Sequence, residues 1–152
     1  MDALCFEDLK IGDFWTTPRR TVTETDVVNF AGITGDYNAL HCDHEFAAAS
    51  TFRRPIAHGL LGLSWVAGLG FRSPSVDTIA FCGIENWQFL KPVHIGDTIY
   101  ARWTVADKGK PGRKSGAIRW RNQLLNSSNM LLQQGDFTTL VRVQENRNRE
   151  AA

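Results

Sequence analysis

The sequence predicts an α+β protein of one domain, an antiparallel β-sheet wrapped around a long central apolar helix. Three observations predict it. The segment from about His58 to Phe71, "HGLLGLSWVAGLGF", is apolar all round (Leu60, Leu61, Leu63, Trp65, Val66, Leu69), the pattern of a helix enclosed by protein. Beyond Ser73, four β-rich runs are separated by turn signals at Gly96-Asp97, Lys110-Pro111-Gly112 and Asn126-Ser127-Ser128-Asn129. The length, 152 residues, suits a single domain that buries most of the surface its unfolded chain exposes. The domain is expected to span 1–145, with 146–152 a polar, frayed tail.

Each element follows in order. "DLKIGDFWTTPRRTVTETD" has turn chemistry at Gly12-Asp13 and then an extended segment through Thr23. Thr23 or Thr25 can cap a helix beginning near Asp26, since a hydroxyl accepts from orphan amides. Val27, Phe30, Ala31 and Thr34 fall at helical spacing, and Gly35 suits the left-handed residue that ends helices. A second short helix is expected from Asp43, a capping aspartate followed by Phe46 and three alanines. Pro55 breaks it, because proline lacks an amide hydrogen and restricts the residue before it. In the central helix, Gly62 and Gly68 permit close approach of another backbone. Alternation in "TIYARWTV" and "GAIRWRNQLL" predicts antiparallel strands with one fully packed face. A sheet wound on one helix leaves part of its outer face apolar, which favours pairing with a second copy.

Bulk properties exclude several function classes. A net charge of +1, with 43% hydrophobic and 22% charged residues, gives no expectation of nucleic acid or an acidic membrane surface as the main partner. Cys5, Cys42 and Cys82 are odd in number and lack CxxC spacing, so they read as reduced thiols and not as a disulfide framework or zinc site. The N-terminus has acidic residues where a secretory signal carries basic ones, and no apolar run comfortably spans a bilayer. A cytoplasmic protein is expected.

The stretch "FAGITGDYNALHCDHEFAAASTFRRPIAHGLLGLS" carries a Gly-Asp-x-Asn-x-x-His run, then Ile-Ala-His-Gly ahead of the apolar helix. It closely resembles the hydratase motif of MaoC-like dehydratases and (R)-specific enoyl-CoA hydratases, which have the hotdog fold. The resemblance extends through "IAFCGIENWQFLKPVHIGDTI" and covers almost the whole chain. It implies a homodimer or a higher assembly of dimers, an acyl-CoA tunnel at the dimer interface, and no metal or redox cofactor, coenzyme A being part of the substrate. Two positions depart from the pattern: Ala39, where many members have proline, and Ala67, where some short-chain enzymes have serine.

The implied reaction is reversible addition of water to a trans-2-enoyl-CoA, giving a (R)-3-hydroxyacyl-CoA. It needs a base for water, a proton for the α-carbon and a stabiliser for the thioester oxygen. Asp36 is the expected base, made more basic by partial desolvation. His41 grips the same water, and the Asn38 amide orients the water or the Asp36 carboxylate. The Gly59 amide, at the start of the central helix, polarises the thioester carbonyl. Arg53, Arg54, Ile56, Ala57 and His58 are the further substrate-binding candidates, with His58 expected to fix the loop by bonding backbone. His94 reads as a solvated turn residue. The basic run Lys108, Lys110, Arg113, Lys114, Arg119 and Arg121 is a rival to Arg53 and Arg54 for phosphate contacts, its plainer reading being a solvated hairpin. A metal site at His41, Asp43 and His44 lacks an obvious fourth ligand and is not expected. Rival functions are hydration of a dicarboxylic thioester such as mesaconyl-CoA, thioester hydrolysis, and non-catalytic acyl-thioester binding.

Overall fold

In the computed structural model, which describes residues 3–70 and 73–144, two short N-terminal strands lead into the helices. These strands, β1 (Phe14–Thr16) and β2 (Arg20–Thr21), are separated at Pro18, where the sequence predicted one continuous extended segment. Four helices follow: α1 (Glu24–Thr34), α2 (Ala39–Cys42), α3 (His44–Ala49) and α4 (Gly59–Gly70). The rest is β3 (Thr78–Phe89), β4 (Thr98–Lys108), β5 (Ser115–Asn126) and β6 (Leu131–Arg142). All six strands form one antiparallel sheet in the order β1-β4-β5-β6-β3, with β2 also paired to β4. The sheet curls onto α4, the hotdog arrangement.

The core lies between α4 and the inner face of the sheet. Strand alternation delivers Ile99, Ala101, Trp103 and Val105 from β4, and Ile118, Trp120 and Leu124 from β5. They meet Leu61, Trp65 and Val66 of α4, all in one buried cluster. Trp103 stands edge-on to Trp120 and to Phe137, with ring centroids 5.6 and 5.3 Å apart. Its indole N–H donates to the Val66 carbonyl at 3.2 Å, so the apolar anchor has a polar partner inside the helix.

Three expectations need correction. The central helix starts at Gly59 and not at His58, while Phe71 lies outside the described residues. It is not enclosed on every side: Leu60 is 58% exposed, because the sheet covers only one flank. Nor do its glycines meet another backbone. Gly62 faces the Gln133 side chain, Gly70 faces the Trp103 ring, and a methyl at Gly68 would touch nothing within 4 Å.

The basic hairpin is largely committed to structure. Lys108 Nζ donates to the carbonyls of Phe6 (2.7 Å) and Leu9, and Arg119 and Arg121 both bind the buried Asp136 carboxylate. The hydrogen bond to Asp136 raises the Arg121 pKa against the opposing effect of burial. At the opposite edge, β3 has no neighbour on its outer side within the described chain, and Ile79, Phe81, Ile84 and Phe89 are 42 to 54% exposed. No helix among the described residues is long and apolar enough to cross a membrane. Cys5 is buried and Cys42 and Cys82 are exposed, and the three are not joined in disulfides.

Candidate active site

Local capping places each site residue. The Thr23 hydroxyl accepts from the Asp26 amide while the Asp26 carboxylate accepts from the Thr23 amide, a reciprocal box that starts α1 two residues before the expected position. Gly35, at φ 78°, ends α1 with its amide on the Ala31 carbonyl at 2.8 Å. The turn that follows presents Asp36. Its Oδ1 accepts from the Asn38 amide (3.2 Å), and Asn38 Oδ1 in turn accepts from Leu40 N (2.9 Å). That second bond caps α2, a four-residue helix absent from the sequence expectation, and α2 carries His41. Asp43 then caps α3 through the Phe46 amide.

The loop before α4 closes back onto these residues. Ile56 N donates to Leu40 O (3.2 Å) and Ala57 N to Val93 O (2.7 Å), fixing the Ile-Ala-His-Gly segment between α2 and the connection from β3 to β4. His41 Nδ1 lies 2.7 Å from the Ile56 carbonyl, and His58 Nε2 lies 2.8 Å from the Asp36 main-chain carbonyl. A carbonyl only accepts, so both nitrogens carry the proton and the lone pairs are left on His41 Nε2 and His58 Nδ1. The two imidazoles stack with centroids 3.8 Å apart, and Phe30 of α1 backs His58 at 5.1 Å. His58 thus fixes the loop, as expected, from a 3% exposed position.

One carboxylate oxygen of Asp36 and ring nitrogens of His41 and His58 all lie within 4.8 Å of one another. Both imidazoles already spend one nitrogen on a carbonyl. Of the metal candidates weighed from sequence, Asp43 caps a helix and His44 pairs with Glu24 at 2.7 Å, so neither joins His41. The desolvation expected for Asp36 is incomplete in a single chain, where its side chain is 53% exposed.

Gly59 opens α4. Its N–H has no acceptor among the described residues, and a side chain there would press on the Phe89 ring, 2.9 Å from an added methyl. A free amide at a helix start attracts negative charge. Beside it is a cavity of about 340 Å³ lined by His41, Ile56, Ala57, Gly59, Lys91 and Gln133, with Phe52 and Phe89 among its apolar walls.

The structure therefore brings together Asp36, Asn38, His41, Ile56, Ala57, His58 and Gly59. Arg53 and Arg54 do not join them. Arg53 is exposed at φ 67°, and Arg54 turns to Asp97 (3.6 Å) and the Ile95 carbonyl (3.5 Å). His94 is not a solvated turn residue either; its side chain is 17% exposed and lies 3.9 Å from Asp97. Phe89, Lys91 and Gln133 line the cavity without having been singled out in the sequence. The only signal for the first two was their place at the end of a long strand, in "FLKP".

Comparison with known proteins agrees with this geometry. The family described as "MaoC like domain" matches residues 10–126. "Protein MaoC" of Klebsiella aerogenes is 41% identical over 77% of this chain, which spans only 36% of that relative's length. A "(R)-specific enoyl-CoA hydratase" of Rhodospirillum rubrum is 36% identical over 66% of this chain and 68% of its own. Among solved structures, a "Monoamine oxidase regulatory protein" from Archaeoglobus fulgius superposes with a TM-score of 0.84 at 38% identity, covering 92% of this chain and 95% of that one. The match across most of the chain, on a sheet curled around one helix, shows that this protein belongs to the MaoC-like domain family.

Proposed function

We propose that the protein is a hydratase, adding water reversibly to a trans-2-enoyl-CoA to give a (R)-3-hydroxyacyl-CoA. The observation that carries this reading is that a carboxylate oxygen of Asp36 and a ring nitrogen of His41 lie within 4.8 Å of one another. A water donating both hydrogens, at ordinary hydrogen-bond lengths, bridges two acceptors about 4.5 Å apart. Its lone pair then faces the substrate. Asp36 takes one proton as the oxygen bonds to the β-carbon, and the displaced electron pair moves to the thioester oxygen. The Gly59 N–H receives that developing charge. The proton returns from the Asp36–His41 pair to the α-carbon, leaving both groups as they began. Asn38 holds Asp36 in place through its main-chain amide, and its side-chain oxygen is taken by the α2 cap.

A second copy of the chain is part of the proposal. Asp36 is half exposed, and the long β3 edge presents unpaired backbone with an apolar row, which suits pairing with an identical strand. Arg53 and Arg54 are not among the residues that line the cavity, whereas Lys91 is, so Lys91 is the cationic side chain nearest to a bound ligand there.

Loss of the conjugated enoyl-thioester absorbance with crotonyl-CoA tests the chemistry, run beside assay of free thiol release. Absorbance loss without thiol supports hydration. Thiol release from a saturated acyl-CoA makes the protein a thioesterase instead. Silence with short, long and dicarboxylic enoyl thioesters leaves a binding protein. Light scattering on the eluted protein measures the assembly, and a monomer rejects the paired form.

A further inference from the structure

We propose that Gln133 binds the cysteamine amide of the thioester carrier and aligns the substrate against Gly59, an inference that rests on the hydratase reading above. Gln133 lies on the inner face of β6, opposite Leu124 of β5, and is 2% exposed. Its Nε2 donates to the Gly59 carbonyl at 3.2 Å. That bond settles the orientation of the side-chain amide, because a carbonyl cannot donate. Oε1 is therefore an acceptor, and it is buried with no partner. Room for the group comes from Gly62, where an added methyl would sit 2.3 Å from Nε2. The helix keeps a bare backbone where the glutamine is seated.

A buried acceptor without a donor is costly, and Gln133 lines the same cavity as His41 and Gly59. A ligand N–H or O–H brought through that cavity satisfies it. A hydrocarbon enoyl group has neither. The carrier arm has one close to the sulfur: the cysteamine amide, about 5 Å from the thioester carbon at ordinary bond lengths. With the acyl end turned to the Asp36–His41 pair, a carrier arm that passes Gly59 brings this N–H to Gln133, which lines the cavity together with His41 and Gly59. Gln133 then holds both the helix turn that offers the Gly59 amide and the ligand that receives it. It is a positioning residue, since it acts on the carrier arm and on Gly59 and not on the reacting carbons.

The test uses two small thioesters that differ in one atom group, S-crotonyl-N-acetylcysteamine and S-crotonyl-2-mercaptoethyl acetate, in which oxygen replaces the amide N–H. In the parent protein kcat/KM is expected to be about tenfold lower for the ester, the size of one hydrogen bond to a buried acceptor. In Gln133→Met the two substrates should agree within about twofold, the variant having removed the acceptor that tells them apart. Equal rates in the parent overturn the proposal and leave Oε1 to a buried water. A preference that persists unchanged in Gln133→Met also overturns it, since the amide is then read elsewhere. Should Gln133→Met fail to fold, Gln133→Leu, which also lacks the acceptor, takes its place in the same comparison. Should neither thioester be hydrated, the functional reading fails separately. Calorimetric binding of the saturated butyryl pair to parent and variant then tests Gln133, with tighter amide binding in the parent alone supporting it and equal affinities, or a preference kept by the variant, rejecting it.

Discussion

The two ends of α4 differ in kind. At the N-terminal end, a free Gly59 amide, the His41 imidazole and a buried glutamine line a cavity of about 340 Å³. At the C-terminal end, Ala67, Gly70, Phe81, Trp103 and Trp120 enclose an apolar cavity of about 100 Å³. Eight residues, or about 12 Å of helix, separate Gly59 from Ala67. One helix thus supplies unpaired donors at its start, where its own backbone cannot use them, and apolar volume further on, where its amides are bonded. Free N–H donors collect at one end because helix direction leaves unpaired amides only there.

The sharpest test of that division removes charge at the polar end. Asp36→Asn keeps an oxygen for the Asn38 amide and so keeps the turn, but loses the base. Hydration of crotonyl-CoA is expected to fall about a thousandfold while the unfolding temperature stays put. Equal loss of stability and activity would mean that Asp36 is a turn residue and nothing more. Gly59→Ala works on the same end, since the new methyl meets Phe89. The expected fall in kcat is about a hundredfold, the worth of one oxyanion donor displaced.

The apolar end should respond in stability instead. In Gly70→Val the Cβ would lie 2.2 Å from the Trp103 ring, which also donates to Val66, so the core must shift. A loss of about 2–3 kcal/mol in urea unfolding is expected, with kcat per folded molecule little changed. Two residues earlier, Gly68→Ala meets empty space and should gain up to about 1 kcal/mol of helix stability. Opposite signs at two glycines a half-turn apart would show that packing, not propensity, governs this end. Matching signs would break the contrast.

How much of this was legible depends on range. Asp36, Asn38, His41 and Gly59 were singled out through the resemblance of one short stretch to a known motif, and the structure holds them close because caps and turns join them locally. The strands were readable through alternation. Helix α2, four residues long, is below the reach of any periodicity. Gln133 was invisible because "QQ" offers two equivalent letters, and only strand register decides that Gln133 faces in while Gln134 pairs with Gln88 on the outer side. The enclosure of α4 was overread for a related reason. An all-apolar helix signals burial but does not say whether its own chain or another copy covers the flank that bears Leu60.

The smallest effect tests the frame that carries the polar end. Burial pushes the Asp26 carboxyl up, but hydrogen bonds from the Thr23 amide and hydroxyl, and the Arg20 guanidinium at 2.6 Å, outweigh it and hold the pKa below its ordinary value. A depressed folded pKa stabilises the protein above the unfolded value and stops doing so as pH falls through the folded one. Asp26→Asn keeps an acceptor for Thr23 but loses the ion pair, at an expected cost of about 1 kcal/mol near neutral pH. Urea unfolding of both proteins should show a constant gap down to about pH 5, where the unfolded carboxyl begins to bind its proton. Below that the gap should narrow. A gap that stays constant to pH 3 would mean that the charge contributes nothing, and that α1 is held by Val27 and Ala31 in the core alone.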